Sequence, residues 1–429
     1  MKIWRASEDR GQKYLVRLEE RQREVLSAGV DDKVRSIVAA IAKRGDKALV
    51  SFVRRYDLKG LPMTELRLHG ELAGSEEVGE DFATAVELAI ANLKTFHEQQ
   101  VQHGYTLEQE GAELGIRVRP IGSVGVYVPG GAAVYISSLL MAVVPAQLAG
   151  VPRIAVATPP RAFLSSPALR YVLDRLDIHE IYLMGGAHAV AALAYGTESV
   201  TAVDKIVGPG GRWVAAAKRA VFGLVDIDSI AGPSEVVVIA DAHAEAEIVA
   251  ADMLAQAEHD PDAAAVLVTT SRTLAEKVDR AVSSRLRALP RGAAARESIK
   301  RWGAILLVED LEQAVEITNR IAPEHVQVLV EDPGRLLDGL ENAGAVYLGP
   351  WSSAVLGDYV VGTNHVLPTA GAACFASPLG VWDFVHRTAV VRVHAHGFAP
   401  LARAARALAQ QEMLPLHVEA LRAGRRGKV

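Results

Sequence analysis

The chain has 429 residues, half of them hydrophobic and 23% charged, with a formal net charge of −5. That composition supplies core for more than one domain and gives no electrostatic reason to bind nucleic acid. The single cysteine, Cys374, excludes a disulfide framework or a thiolate zinc site and suits a reducing, cytoplasmic compartment.

No apolar run reaches the ~18 residues of a membrane span, and the opening "MKIWRASEDRGQ" is too charged for a signal peptide. The first hundred residues read mostly as helix. "DDKVRSIVAAIAKRGDKALVSFVRRYD" sets Val34, Ile37, Val38 and Ile41 at helical spacing behind Asp31 or Asp32 as cap, and "EDFATAVELAIANLKTFHEQQ" gives a second helix. From "IGSVGVYVPGG" onward, short apolar strands alternate with helices: "SSLLMAVVPAQLAG", "RIAVATPP", "SPALRYVLDRL", "EIYLMGG", "AHAVAALAYG". "EVVVIAD", "AAAVLVTT", "GAILLVED" and "HVQVLVED" repeat the pattern, and the last fifty residues return to helix through "APLARAARALAQQ" and "EMLPLHVEALRAG". Such alternation predicts parallel sheets. The expected fold class is α/β: two doubly wound (Rossmann-like) parallel-sheet modules with an N-terminal helical segment and a C-terminal helical arm. The expected division is 1–25 for the N-terminal segment, 26–121 with 234–378 for a first α/β domain, 122–233 for a second, dinucleotide-binding one, and 379–429 for the arm.

Three strand-to-helix turns, "YVPGG", "LMGGAH" and "VGPGGRW", are rich in glycine and bring backbone N–H groups within reach of phosphates. None is a G-x-G-x-x-G, and each alone is weak evidence, since a tight turn also needs glycine. Four polar patches carry more. In "ADMLAQAEHDPD", Gln256 and His259 sit three apart near a helix end, while Glu258 points elsewhere. In "APEHVQV", adjacent Glu324 and His325 precede a strand, a pairing suited to acid–base work near neutral pH. Asp358 and His365 lie in "GDYVVGTNHVLPTAG", and Glu412 and His417 in "EMLPLHVEA". A nitrogen and oxygen donor set without thiolate suits zinc or another borderline divalent ion. His69, His97, His103, His179 and His243 read as ordinary surface or core histidines, and His386, His394 and His396 as structural.

Taken together, "YVPGG", "KIVGPGG", "IAGPSEVVVIAD", "AQAEHDPD", "APEHVQV", "GDYVVGTNHVLPTAG" and "EMLPLHVEA" resemble the histidinol dehydrogenase family along essentially the whole chain. The resemblance implies a zinc-dependent, NAD-linked oxidation of L-histidinol to L-histidine in two steps, the last of histidine biosynthesis. It implies zinc ligands Gln256, His259, Asp358 and His417, and catalytic residues Glu324 and His325. The substrate pocket would comprise Ser234, His365 and Glu412 together with His325 and the four ligands. It further implies a homodimer whose C-terminal arm crosses to the partner, so that Glu412 and His417 serve the other subunit's site. Tyr127 would contact NAD. Two positions depart from the family pattern: His188 stands in "GGAHA" where glutamine is usual, and Gly211 in "GPGG" where asparagine is usual. Both are expected at the dinucleotide, so nucleotide affinity or preference is the property they put in question. A paralogue acting on another amino alcohol or diol, a zinc-dependent hydrolase and a non-catalytic zinc-stabilised dimer are the competing readings. H-E-x-x-H, frequent in hydrolytic zinc sites, is absent.

Overall fold

The computed structural model describes residues 1–24, 30–59, 66–68, 78–130, 134–290 and 293–422, with the side chains of 22–24 excepted. His69 lies outside them. The described chain divides into two compact units, one of residues 1–100 with 121–384 and one of 101–120 with 385–429.

The larger unit holds two six-stranded sheets. The first runs Lys2–Arg5, Ala304–Leu307, Ala264–Thr269, Glu235–Ala240, His325–Leu329, Ala345–Leu348, every neighbour parallel. Its strands are apolar on both faces because helices cover both. The period of two sorts them: Val237, Ile239, Val266, Val268, Val326 and Val328 pack with Tyr14, Leu15 and Leu18 of the helix Asp9–Glu24, while Val236, Val238, Ala265 and Leu267 pack with Val249 and Met253 of the helix Ala246–Ala257. The second sheet runs Arg67–Leu68, Glu180–Leu183, Ile154–Thr158, Val124–Tyr127, Lys205–Val207, Asp226–Ile227, parallel except for its first, two-residue strand.

In both sheets the strand order reverses beside the strand that starts the module. The first sheet switches between Glu235–Ala240 and His325–Leu329, the second between Val124–Tyr127 and Lys205–Val207. These two crevices position the chemistry.

The structure departs from the sequence expectation in four places. The N-terminal segment is not helix alone, since Lys2–Arg5 forms the edge strand of the first sheet before the helix begins. The helices Asp31–Arg44 and Glu80–Glu98 share a core with the second sheet, although residues 26–121 were grouped with the first; Val34, Ile41, Ile90 and Leu93 pack with Val126, Val143 and Leu193. Residues 101–120 fold with the C-terminal part of the chain. In that smaller unit Val385–Val393, Ala112–Pro120 and Tyr105–Gln109 form an antiparallel sheet in that order. The arm is therefore strand first and helix after, with Ala395–Gln411 and Pro415–Ala420 following. Among the described residues no helix is long and apolar enough to cross a membrane.

Candidate active site

At the switch point of the first sheet two strands begin side by side, with Val236 in register with His325. Ser234 and Glu235 lead into one strand, Glu324 and His325 into the other. The backbone of Glu235 holds both candidate catalytic groups: its N–H donates to Glu324 Oε2 at 3.2 Å, and its carbonyl accepts from His325 Nδ1 at 3.3 Å. A carbonyl only accepts, so Nδ1 carries the proton and Nε2 holds the lone pair. His325 Nε2 lies 3.7 Å from Asp358 Oδ1, and Nδ1 lies 3.6 Å from Glu324 Oε2. Burial pulls the His325 imidazole down, but the Glu324 and Asp358 carboxylates outweigh it and hold His325 above its ordinary value. Burial pushes Glu324 up, opposed by His325, by the Glu235 N–H and by the Ser234 hydroxyl. A buried carboxyl moved toward neutrality beside an imidazole is an acid–base pair.

Ligand sites in open parallel sheets usually lie beyond the carboxyl ends of the strands. Here the pair stands at the amino ends. The helix Ala246–Ala257 explains how further donors reach it. That helix follows Glu235–Ala240 and runs back along the sheet, so its C-terminus returns to the amino end of the strands. Gln256 is buried in its last turn, and His259 follows just past the cap, exposed, with its N–H on Gln256 O at 3.3 Å. Asp358 comes from the short helix Ala354–Tyr359. Burial pushes its carboxyl up, but His325, His365 and His259 together hold it below its ordinary value.

His365 completes this group. Its Nδ1 donates to Asp358 O at 2.7 Å, and its Nε2 meets the Ser138 hydroxyl at 3.1 Å. Burial pulls its imidazole down. Ser138, missed in the sequence, is a buried polar residue on an otherwise apolar helix, Ile136–Leu148, and that contrast was the available signal. Tyr347 was missed as well; its ring centroid is 6.0 Å from that of His325, and a Cβ on Gly357 would stand 2.3 Å from its hydroxyl oxygen.

Whether these donors suit a metal follows from their chemistry. Among the described residues no three His, Cys, Asp or Glu side chains gather into a metal-holding group. His259 and Asp358 interact through their charges, and Gln256 is buried in the last turn of the helix that leads to His259. Amide oxygen, imidazole nitrogen and carboxylate oxygen are donor types that suit zinc. Glu412 and His417 belong to the smaller unit, both exposed there, one just after the helix Ala395–Gln411 and the other within Pro415–Ala420.

The second sheet follows the usual rule. Tyr127 ends the strand Val124–Tyr127, and its hydroxyl accepts from Gly186 N at 3.0 Å. Burial pushes that phenol up to about 12. Across the switch point, Gly208 has φ +114°, and a Cβ there would stand 2.2 Å from Tyr127 O. Gly211 differs. Its φ is −62°, nothing lies within 4 Å of where a Cβ would stand, and it begins the exposed N-terminus of the helix Arg212–Val221. His188 is 2% exposed, with Nε2 on Asp57 Oδ2 at 2.7 Å. The same Asp57 oxygen accepts from Gly185 N at 2.9 Å. Asp57, unforeseen in the sequence, ends a π-helical turn, Val53–Asp57, of the kind frequent at functional sites.

The family model described as histidinol dehydrogenase matches residues 20–425. The chain belongs to the histidinol dehydrogenase family. A histidinol dehydrogenase of Listeria monocytogenes is 45% identical over 398 residues, covering 92% of this chain and 93% of its own. One of Halalkalibacterium halodurans is 46% identical over 403 residues, covering 92% and 95%. The crystal structure of histidinol dehydrogenase from Elizabethkingia anophelis superimposes with a TM-score of 0.88 at 31% identity, over 98% of this chain and 97% of that one. Histidinol dehydrogenases are oxidoreductases, so the chain is an enzyme of that class, and the α/β architecture described above is that of the family.

Proposed function

We propose that this member of the family oxidises L-histidinol to L-histidine through the aldehyde, with NAD as acceptor and zinc bound by Gln256, His259, Asp358 and His417. The observation that carries the reading is the buried Glu324–His325 pair at the amino ends of two adjacent strands, with Ser234 and the helix-borne Asp358 acting on it. NAD, when bound, takes a hydride at each step, and zinc, when bound, fixes the amine and imidazole of the substrate. In the first step His325 Nε2 takes the alcohol proton, and the imidazolium formed lies between two carboxylates. The second step needs water. Glu324, close beside His325, removes a proton from the water that adds to the aldehyde, while His325 returns the first proton to the aldehyde oxygen and is free to act again. The hydrate so formed then loses its second hydride as His325 takes the hydroxyl proton. The sum is one alcohol and one water converted to a carboxylate, with four electrons leaving on two acceptors.

Ser234 holds Glu324. His365, kept neutral by burial, shapes the pocket with Glu412. Tyr127 and the "GPGG" turn at Gly211 receive the dinucleotide at the carboxyl end of the second sheet, near His188. The reading extends to a cytoplasmic homodimer with shared active sites, each taking Glu412 and His417 from the partner. A nitrogen- and oxygen-rich donor set in a chain that also has a dinucleotide-type crevice at the second sheet favours a dehydrogenase over a zinc hydrolase, which has no use for the glycine turns.

The test is direct. Zinc-loaded protein is mixed with L-histidinol and NAD, and reduced nicotinamide is followed by absorbance. Two equivalents formed per histidine are expected. No reduction would overturn the reading, and reduction with another amino alcohol alone would move the protein to a paralogous reaction.

A further inference from the structure

Asp252 lies on the helix Ala246–Ala257, four residues before Gln256 and so on the same helical face, and on the helix that leads to His259 just past its cap. It has no place in the reaction as written. Its carboxylate nevertheless accepts two hydrogen bonds from two other elements. Gln327 Nε2 donates to Oδ2 at 2.6 Å, and the Ser353 hydroxyl donates to Oδ1 at 2.8 Å. Gln327 is two residues after His325 on the strand His325–Leu329, so it points to the same side of the sheet. Ser353 begins the short helix Ala354–Tyr359 that carries Asp358.

One carboxylate therefore joins the three elements that bear Gln256 and His259, His325, and Asp358. Each contact has a sign of being selected for this use. Gln327 is fully buried, and its Oε1 has no hydrogen-bond partner among the described residues, so its amide is there for the Nε2 donor. Ser353 occupies the N-cap position, where a serine hydroxyl ordinarily accepts from the helix's own N–H groups. It makes no such cap and turns to Asp252 instead. Burial alone raises the Asp252 carboxyl, and the two donors oppose that. A carboxylate so placed costs stability unless its partners stay in place.

We propose that Asp252 is a positioning residue of the metal site, fixing the Gln256–His259 helix against both the catalytic strand and the Asp358 helix. This rests on the zinc reading given above. Residues that orient metal ligands from behind change metal affinity or activity by ~10–100-fold when removed. Three variants separate orientation from bulk stability. Asp252→Ala loses both links. Ser353→Ala loses only the link to Asp358, and with no cap to lose it leaves the short helix intact. Asp252→Asn keeps the shape: turning over the Gln327 amide lets Asn Nδ2 donate to Gln327 Oε1 while Asn Oδ1 accepts from Ser353.

Zinc affinity is measured by competition with a chromophoric chelator, beside thermal melts of the zinc-free proteins and kcat/KM of the loaded ones. Asp252→Ala is expected to lose ~10–100-fold in zinc affinity. Ser353→Ala should lose a smaller factor with an unchanged melt, and Asp252→Asn should recover most of the loss. The double variant should match Asp252→Ala alone, because both changes break one network. A folded Asp252→Ala protein with wild-type zinc affinity, whatever its melt, overturns the inference. If Asp252→Ala does not fold, wild-type zinc affinity in Ser353→Ala overturns it. Wild-type protein that takes up no zinc overturns the metal reading and this inference with it, whereas one zinc per wild-type chain beside an unaltered variant overturns the inference alone.

Discussion

His325 Nε2 stands 3.7 Å from Asp358 Oδ1 and, though buried, makes no hydrogen bond among the described residues. A lone pair held in place by a proton fixed on the opposite nitrogen, next to a carboxylate that can stabilise the charged ring, is the arrangement of a general base before it takes its proton. The neighbouring Glu324 shares the Glu235 backbone with it, yet the two have separable work.

Replacing His325 with Asn is therefore expected to slow both oxidation steps by roughly 10²–10⁴-fold. Glu324→Gln should spare oxidation of the alcohol and impair that of the aldehyde, which alone needs activated water. Stopped-flow measurements with each substrate separate the steps. Equal losses for both substrates in Glu324→Gln would remove the division of roles.

Gly211 is open to a side chain: its φ of −62° suits any residue, and no atom lies within 4 Å of the Cβ position. An asparagine there meets no steric cost and adds an amide at a helix N-terminus facing the dinucleotide crevice. A net hydrogen bond is worth roughly 0.5–1.5 kcal/mol. Gly211→Asn is expected to tighten NAD binding by up to about tenfold, read by calorimetry. Unchanged or weaker binding would contradict a role for this position in holding the dinucleotide.

Glu235 gives a pH dependence of stability. Burial, opposed by Arg21 and reinforced by Glu324, raises its carboxyl from 4.5 to about 7. The native state thus binds this proton more tightly than the unfolded chain does. The contribution is complete below pH 4.5 and is lost as the pH rises through about 7. Glu235→Gln carries no such proton. Its melting temperature relative to wild type should therefore climb between about pH 5 and about pH 8. Melting curves that keep a constant separation over that range would contradict the assignment.

The proposed shared site predicts complementation. If both residues hold zinc as proposed, His259→Ala and His417→Ala should each be nearly inactive. If His417 serves the partner's site, a heterodimer of the two has one doubly damaged site and one intact. Unfolded together and refolded at random, the mixture should regain about a quarter of wild-type activity for a two-fold dimer with independent sites. A mixture whose subunits demonstrably exchange and which stays inactive would place His417 in its own subunit's site.

The central strands of both large sheets and the helices between them were legible because burial writes itself into sequence. Runs such as "EVVVIA" and "AAVLVT" lack the apolar–polar alternation of a half-solvated strand, and the helices between them keep a helical period. The candidate site residues were legible as chemical types and as motifs. Their arrangement was not. Nothing local says that the helix ending at Ala257 runs back to the amino end of the sheet and brings His259 to act on Asp358 and His365, because helix direction is fixed by the crossover between parallel strands. The strands Lys2–Arg5 and Ala112–Pro120 were hidden for a related reason. The first is an edge whose pairing partner lies some three hundred residues on; the second is half-exposed and mixed in polarity, and its partners before and after it in sequence are mostly exposed strands with no buried face to betray them. His188, open in sequence to a nucleotide role, became a buried partner of Asp57 through a contact across 131 residues. Asp252 reads in sequence as one polar residue on an apolar helix. Only the meeting of three elements gives its carboxylate two donors and a purpose, since a hydrogen bond between residues 101 positions apart is a property of the packed chain and not of any stretch of it.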